Sequence, residues 1–210
     1  ALPRVEYSVQ NPLETNNANV SKTIKLMTHS LGNIKRFIFS SSSSVYGDAK
    51  NLPTPESEEK NPESPYALQK LHAEQYAQLY SKLYDLDVVS LRYFNVYGPG
   101  QYGDSPYSTA IAAWCDKVNT KSPLRSDGDG TQSRDLVYVD DVVSANIGAA
   151  LREEKFSGEV FNVGSQTTIT NNEILEIFKD KFPGIEVVNA PRRPGDVMNT
   201  LGDISAARKM

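Results

Sequence analysis

Tyr66 stands four residues ahead of Lys70, and earlier in the chain five consecutive serines, Ser40 to Ser44, follow the apolar run Phe37-Ile38-Phe39. A phenol acts as a general base only when its pKa, near 10 when free, falls toward the operating pH; a fall of about three pH units needs roughly 4 kcal/mol of extra stabilisation of the phenolate. Lys70 can supply part of that, because a cation beside the phenolate favours the charged form, and the positive end of a helix acts in the same direction. Pro65 suits a first helical position and Ser64 can cap it, so Tyr66 and Lys70 fall in the opening turns of one helix, on one face. A hydroxyl from Ser42, Ser43 or Ser44 could hydrogen-bond the same reacting oxygen as Tyr66. Tyr-x-x-x-Lys alone occurs by chance in many helices, and a serine run alone reads as a loop. The abutting apolar strand favours hydroxyls at the carboxyl edge of a sheet, where open α/β folds hold ligands.

Other candidates are weaker. Arg134, Arg192 and Arg193 have the forked donors that suit a diphosphate, and Asp196 could accept from a ribose hydroxyl, although each alone reads as a surface charge. Gly98 to Gly103 has the letters of a dinucleotide fingerprint, but Pro99 stiffens the turn and Pro106 interrupts the helix that must follow, so a plain loop is expected. Asp127 to Gly130 hints at a calcium loop, yet Thr131 and Tyr138 stand where ligands belong. His29 and His72 have no ligand spacing and read as surface residues, and no Gly-x-Ser-x-Gly elbow exists, so no metal site is expected.

The elements that must position these residues alternate. Val20, Ile24, Met27 and Leu31 give a helix over 16 to 31 ended by Gly32; a short apolar strand spans 35 to 40; a Pro-rich acidic loop fills 48 to 64; a helix runs from 65 to about 84; and a strand covers 87 to 93. Such alternation, with strands too apolar for a wet face, predicts an α/β fold with a parallel sheet covered on both sides. The later chain mixes its units: a helix over 107 to 118, a turn at 127 to 130, a strand over 134 to 139, and a helix to Leu151 capped by Asp140 or Asp141. Strands at 160 to 163 and 185 to 188 then flank a helix over 171 to 182. The division expected is 1–106 and 107–210, the second a smaller mixed lobe with some elements returning to the first sheet.

Composition is that of an ordinary folded chain: 210 residues, 39% hydrophobic, 23% charged. A net charge of -4, spread along the sequence, gives no footprint for nucleic acid. The single Cys115, in the pattern Ile111, Trp114, Cys115, Val118, excludes an internal disulfide and is expected as a buried inert thiol. No apolar run approaches the roughly 18 residues of a spanning helix, and no signal-peptide core opens the chain, so no membrane partner and a cytoplasmic location are expected.

Together the residues resemble the extended short-chain dehydrogenase/reductases, and within them the NAD-dependent nucleotide-sugar 4-epimerases. Ala1 to Val5, Asn19-Val20, the serine run with Val45-Tyr46-Gly47, Pro65-Tyr66 with Lys70, Arg92 to Pro99, Ser133-Arg134-Asp135 and Pro191 to Asp196 fall in that family's order. The resemblance implies a Rossmann-like parallel sheet, partial here, with a mixed α/β substrate lobe. It implies Tyr66 as catalytic base, Lys70 as its pKa modulator and ribose ligand, and Ser42 as the hydroxyl bridging the sugar oxygen. Asn19, Ser40 and Tyr93 fall with Tyr66 and Lys70 at cofactor positions. Arg4, Ser42, Ser43, Ser44, Asn95, Thr109, Ala110, Arg134, Arg193, Asp196 and Thr200 fall at substrate positions. Related dehydratases carry Asp-Glu in place of Ser43-Ser44, which disfavours dehydration. Thr200 replaces a bulky tyrosine of strict glucose/galactose epimerases, which would admit an N-acetylated sugar.

The implied partner is a UDP-hexose, the implied cofactor NAD, and the implied assembly a homodimer through helices near 16 to 31 and 65 to 84. Members of the family begin with a strand, a glycine-rich turn and a helix that this sequence lacks, and usually extend past its last residues. A shortened chain with poor NAD binding and little turnover alone is therefore expected. A non-catalytic nucleotide-sugar-binding remnant and a sister decarboxylase or reductase are the alternatives.

Overall fold

The computed structural model describes residues 1–103, 108–192 and 197–210. In chain order, α1 (Val5–Gln10), α2 (Pro12–Asn16), a π-helical turn at Asn17–Ser21 and α3 (Lys22–Ser30) lead to β1 (Phe37–Ser42) and a 3-10 turn, Ser43–Tyr46. After a long loop come α4 (Pro65–Tyr84), β2 (Val88–Tyr93), β3 (Asn95–Tyr97), α5 (Ala110–Asn119), β4 (Leu124–Asp127), β5 (Ser133–Arg134), β6 (Leu136–Tyr138) and α6 (Val139–Leu151). The final elements are β7 (Ser157–Val163), β8 (Ile169–Thr170), α7 (Asn171–Lys181), β9 (Val187–Ala190) and a short turn, Ala207–Lys209.

The architecture is α/β, built on a parallel sheet in the order β1-β2-β7. Phe37 lies opposite Val88 and Ser42 opposite Tyr93, so the serines and the end of β2 share one carboxyl edge. Alternate side chains of β2 feed two cores: Val88 packs with Met27, Phe39, Ala73, Ala77 and Tyr80 under α3 and α4, while Val89 and Leu91 pack with Val137, Ala149, Phe156 and Val163 on the α6 side. Ala73 and Ala77 carry little side-chain bulk, which lets α4 lie close on the sheet. A third cluster, Trp114, Leu124, Ile174, Leu175 and Phe178, joins α5, α7 and β4.

Helix ends follow local chemistry. The Ser64 hydroxyl accepts from the Ala67 N–H, Pro65 opens α4, and Asp85 in the left-handed region closes it. Thr170 and Glu173 form a capping box on α7.

Several expected boundaries move. The strand expected at 35–40 runs Phe37–Ser42, so three of the serines are strand residues. The strand expected over 134–139 is two strands in different sheets, broken at Asp135, whose carboxylate is drawn to Ser165 and Gly202. Asp140 and Asp141 are not caps: Tyr138 is the N-cap of α6, and the two acids lie in its first turn, where the helix dipole favours them. The strand expected at 185–188 is shifted to Val187–Ala190. Cys115 is exposed rather than buried, because Trp114 takes the inward direction on α5 and turns its neighbour out. The outer strand face is not fully dry either, since Ser40 is exposed. Within Gly98 to Gly103 the Gln101 N–H closes a turn on the Gly98 carbonyl, and among the described residues the next helix, α5, begins at Ala110. Asp129 accepts from the Thr131 N–H and hydroxyl, a local turn. No helix among the described residues is long and apolar enough to cross a membrane.

Candidate active site

The opening turns of α4 stand beside the carboxyl end of β1. Tyr66 is 8% exposed, and its N–H donates to the Ser8 hydroxyl of α1 at 3.0 Å, which fixes the helix start against the preceding segment. Burial pushes the Tyr66 phenol above its ordinary value, and hydrogen bonding with Ser42 opposes that. Lys70 donates from Nζ to the Ser40 carbonyl at 2.7 Å, with its ammonium 4.9 Å from the Phe39 ring centre and 5.8 Å from that of Tyr66. Burial lowers the Lys70 pKa to about 8, and Glu74 opposes the fall. At neutral pH the site therefore holds a neutral phenol beside a lysine that is still largely an ammonium.

The serines divide their work by strand alternation. Ser40 Oγ shares a 3.2 Å hydrogen bond with the Tyr93 hydroxyl, which in turn donates to Asn146 at 3.0 Å. Ser41 points to the other face and donates to Glu74. Ser42 Oγ accepts from the Ser44 N–H at 3.2 Å and turns the chain into the segment carrying Ser43. The buried Ser44 hydroxyl has no partner among the described residues.

A second group forms around Asn95. Thr200 Oγ1 donates to Asn95 Oδ1 at 3.2 Å and accepts from the Asp135 N–H at 3.1 Å, while Arg134 donates to the carbonyls of Ser133 and Met198. Thr109 is the N-cap of α5, with its hydroxyl turned to Gln101 at 3.2 Å. The first-turn amides after Ala110 thus receive no side-chain cap and present a positive helix end. Arg4 approaches from the N-terminal segment to within 3.4 Å of Ser108 Oγ. Arg193 and Asp196 lie outside the described residues.

Asn19, in the π-helical turn, accepts from the Leu2 N–H at 2.6 Å and donates to the Leu2 carbonyl at 3.1 Å and to Gln69 at 2.9 Å, so its amide anchors the segment that carries Arg4. Sequence reasoning assigns no site role to Glu74, Arg92, Tyr46 and Asn162, which form one buried network beneath Lys70. Two signals were available: a carboxylate four residues after Lys70, and an arginine inside an apolar strand.

Residues 1–164 match the NAD dependent epimerase/dehydratase family. The chain belongs to that family. A UDP-glucose 4-epimerase of Lactobacillus helveticus is 34% identical over 224 residues, covering 99% of this chain and 68% of its own length. Among solved structures, the UDP-N-acetylglucosamine 4-epimerase from Methanobrevibacter ruminantium M1, in complex with UDP-N-acetylmuramic acid, is 41% identical with a TM-score of 0.94, over 100% of this chain and 67% of that one. The UDP-glucose 4-epimerase of Thermotoga maritima with UDP-glucose is 34% identical, with a TM-score of 0.93, over 100% of this chain and 68% of that one. The chain thus spans about two thirds of the length of these relatives. Membership makes it an NAD-dependent enzyme by descent. The residues present fit such a cofactor at Lys70: its ammonium has one acceptor among the described residues, so its remaining N–H donors can engage a polyhydroxylated ligand.

Proposed function

We propose that the chain carries the proton-transfer and sugar-nucleotide portion of a UDP-hexose 4-epimerase. The observation that supports this best is the meeting of Tyr66, Lys70 and Ser42 at the carboxyl end of β1, with serines rather than acids at positions 43 and 44. In this reading Tyr66 exchanges a proton with the C4 hydroxyl, Ser42 holds that oxygen, and Lys70 stabilises the phenolate and binds the nicotinamide ribose. Ser40, Asn19 and Tyr93 complete the cofactor side. NAD, when bound, supplies the acceptor and donor for hydride at C4, along with positive charge that favours ionisation of the phenol. Without an acid pair beside Tyr66, nothing in the serine segment serves to expel water from the sugar.

Arg134, with Arg193 and Asp196, and the first-turn amides at Thr109 and Ala110 hold the diphosphate and ribose, with Arg4, Ser43, Ser44 and Asn95 facing the sugar nucleotide. Thr200, small and bonded to Asn95, leaves room for an N-acetyl group. A homodimer is part of the proposal: Leu68, Tyr76, Leu79 and Leu83 recur at helical spacing on α4 and are exposed. The test is product analysis with added NAD on this chain and on the longest gene product that contains it. UDP-galactose and UDP-N-acetylgalactosamine are each supplied, and the glucose-configured epimer is expected. Consumption to a 4-keto-6-deoxy sugar, or no conversion of any hexose, counts against it.

A further inference from the structure

Glu74 lies one turn beyond Lys70, on the buried face of α4 that also carries Tyr66, Ala73 and Ala77. It is 1% exposed, and Arg92, 3% exposed, meets it from β2. The pairing is two-pronged: Arg92 Nε donates to Oε1 at 2.9 Å and Nη2 to Oε2 at 2.6 Å. The Ser41 hydroxyl also donates to Oε1. The remaining nitrogen, Nη1, donates to the Tyr46 oxygen at 2.8 Å and the Glu56 carbonyl at 3.2 Å, and Tyr46 donates onward to Asn162 at 2.7 Å. One carboxylate thereby ties α4 to β1, β2 and, through Tyr46, β7.

Stability alone does not account for such a pair, because desolvating two charges offsets most of their attraction, and apolar replacements of similar volume are often neutral or better. Its position under Lys70 gives it another use. Lys70 reaches into a dry corner between Phe39 and Tyr66, where an ammonium is disfavoured. The ionisable groups facing this corner are Tyr66 and Glu74 on α4, with Arg92 of β2 behind Glu74 and Lys60 of the loop within reach of the same carboxylate. Of these, Glu74 is the carboxylate that shares the buried face of α4 with Lys70, one turn further along the helix, and its charge favours the ammonium.

We propose that Glu74 is a positioning residue for Lys70: it supplies the countercharge that keeps the ammonium protonated beside Tyr66, and Arg92 with Ser41 locks the carboxylate in place. The inference rests on the proton-transfer role assigned to Tyr66 and Lys70, and its test reads Lys70 directly rather than turnover. Lysine side chains carrying 13C and 15N are titrated by NMR, with the Lys70 signal assigned by its loss in K70R. In E74Q the Lys70 midpoint falls by about one pH unit or more. E74Q leaves Arg92 buried without its partner, so E74Q/R92Q, which removes both charges and keeps two amides, serves as the folded comparison; its midpoint also falls, by less than in E74Q, because the cation behind the carboxylate is removed with it. A Lys70 midpoint unchanged in folded E74Q/R92Q overturns the proposal even if the longer protein proves to be an epimerase. A lowered midpoint in a protein that epimerises no sugar sustains the countercharge and instead refutes the epimerase reading.

Discussion

Lys70 reaches from α4 to donate to the backbone carbonyl of Ser40 in β1 at 2.7 Å, so a strand and a helix distant in sequence are joined at the site by an ammonium. The contact aims the lysine past the Phe39 ring and toward Tyr66, and it does so in a corner where burial has already lowered the Lys70 pKa to about 8. A charge kept where solvation is poor is a cost to folding that only function explains.

That cost has a measurable pH signature. Lys70 holds its proton less tightly in the folded chain than in the unfolded one, so between pH 8 and the free-lysine value of about 10.4 the unfolded state binds more protons and stability rises with pH. Below pH 8 the full penalty, on the order of 3 kcal/mol, is present. K70M removes the charge and keeps most of the volume. It is expected to melt higher than the native chain at pH 7, with the difference shrinking as pH rises through 8 to 10. Parallel thermal scans of the two proteins across that range check it, and a constant offset would contradict the burial argument.

Asp135 is fully buried and accepts from the Ser165 N–H at 2.7 Å, the Ser165 hydroxyl at 2.8 Å and the Gly202 N–H at 2.9 Å. It staples the end of β7 and the C-terminal segment to the break between β5 and β6, next to Arg134 and Thr200. D135N places an amide donor among three donors. It should cost about 2–3 kcal/mol in urea unfolding and expose the chain near 198–203 to limited proteolysis.

Ser64 caps α4 two residues ahead of Tyr66. S64A is expected to lose about 1 kcal/mol, and S64D to retain most of the native stability, since an aspartate caps as well as a serine. Equal losses in both would show that the hydroxyl is not acting as a cap.

Much of this was legible in the sequence, for physical reasons that differ by residue. Helix α4 could be read to both ends, because Ser64-Pro65 fixes a start and the apolar spacing runs unbroken from there. Strand β2 was legible because Val88, Val89 and Leu91, interrupted only by the small Ser90, form a short β-branched and apolar stretch. The site was legible where chemistry is local, as in the four-residue step from Tyr66 to Lys70. It failed where long-range partners decide. Nothing beside Asp135 says that it will bend away to Ser165 and Gly202 and split one strand into two. The pattern around Cys115 gives a helix but not which of two adjacent residues, Trp114 or Cys115, faces inward. Glu74 and Arg92 are 18 positions apart in sequence, and only the packing of α4 on β2 makes them a pair.

The role proposed for Tyr66 is to exchange the proton at C4 of a UDP-hexose. Its most direct test is Y66F, which removes one oxygen and leaves the backbone bond to Ser8 intact. With NAD supplied, and on the longest gene product containing the chain, conversion of UDP-galactose and UDP-N-acetylgalactosamine to their C4 epimers is measured for both proteins. Y66F is expected to lose about 100-fold or more of the rate, with its melting temperature nearly unchanged. Epimerisation by folded Y66F at the native rate would contradict it.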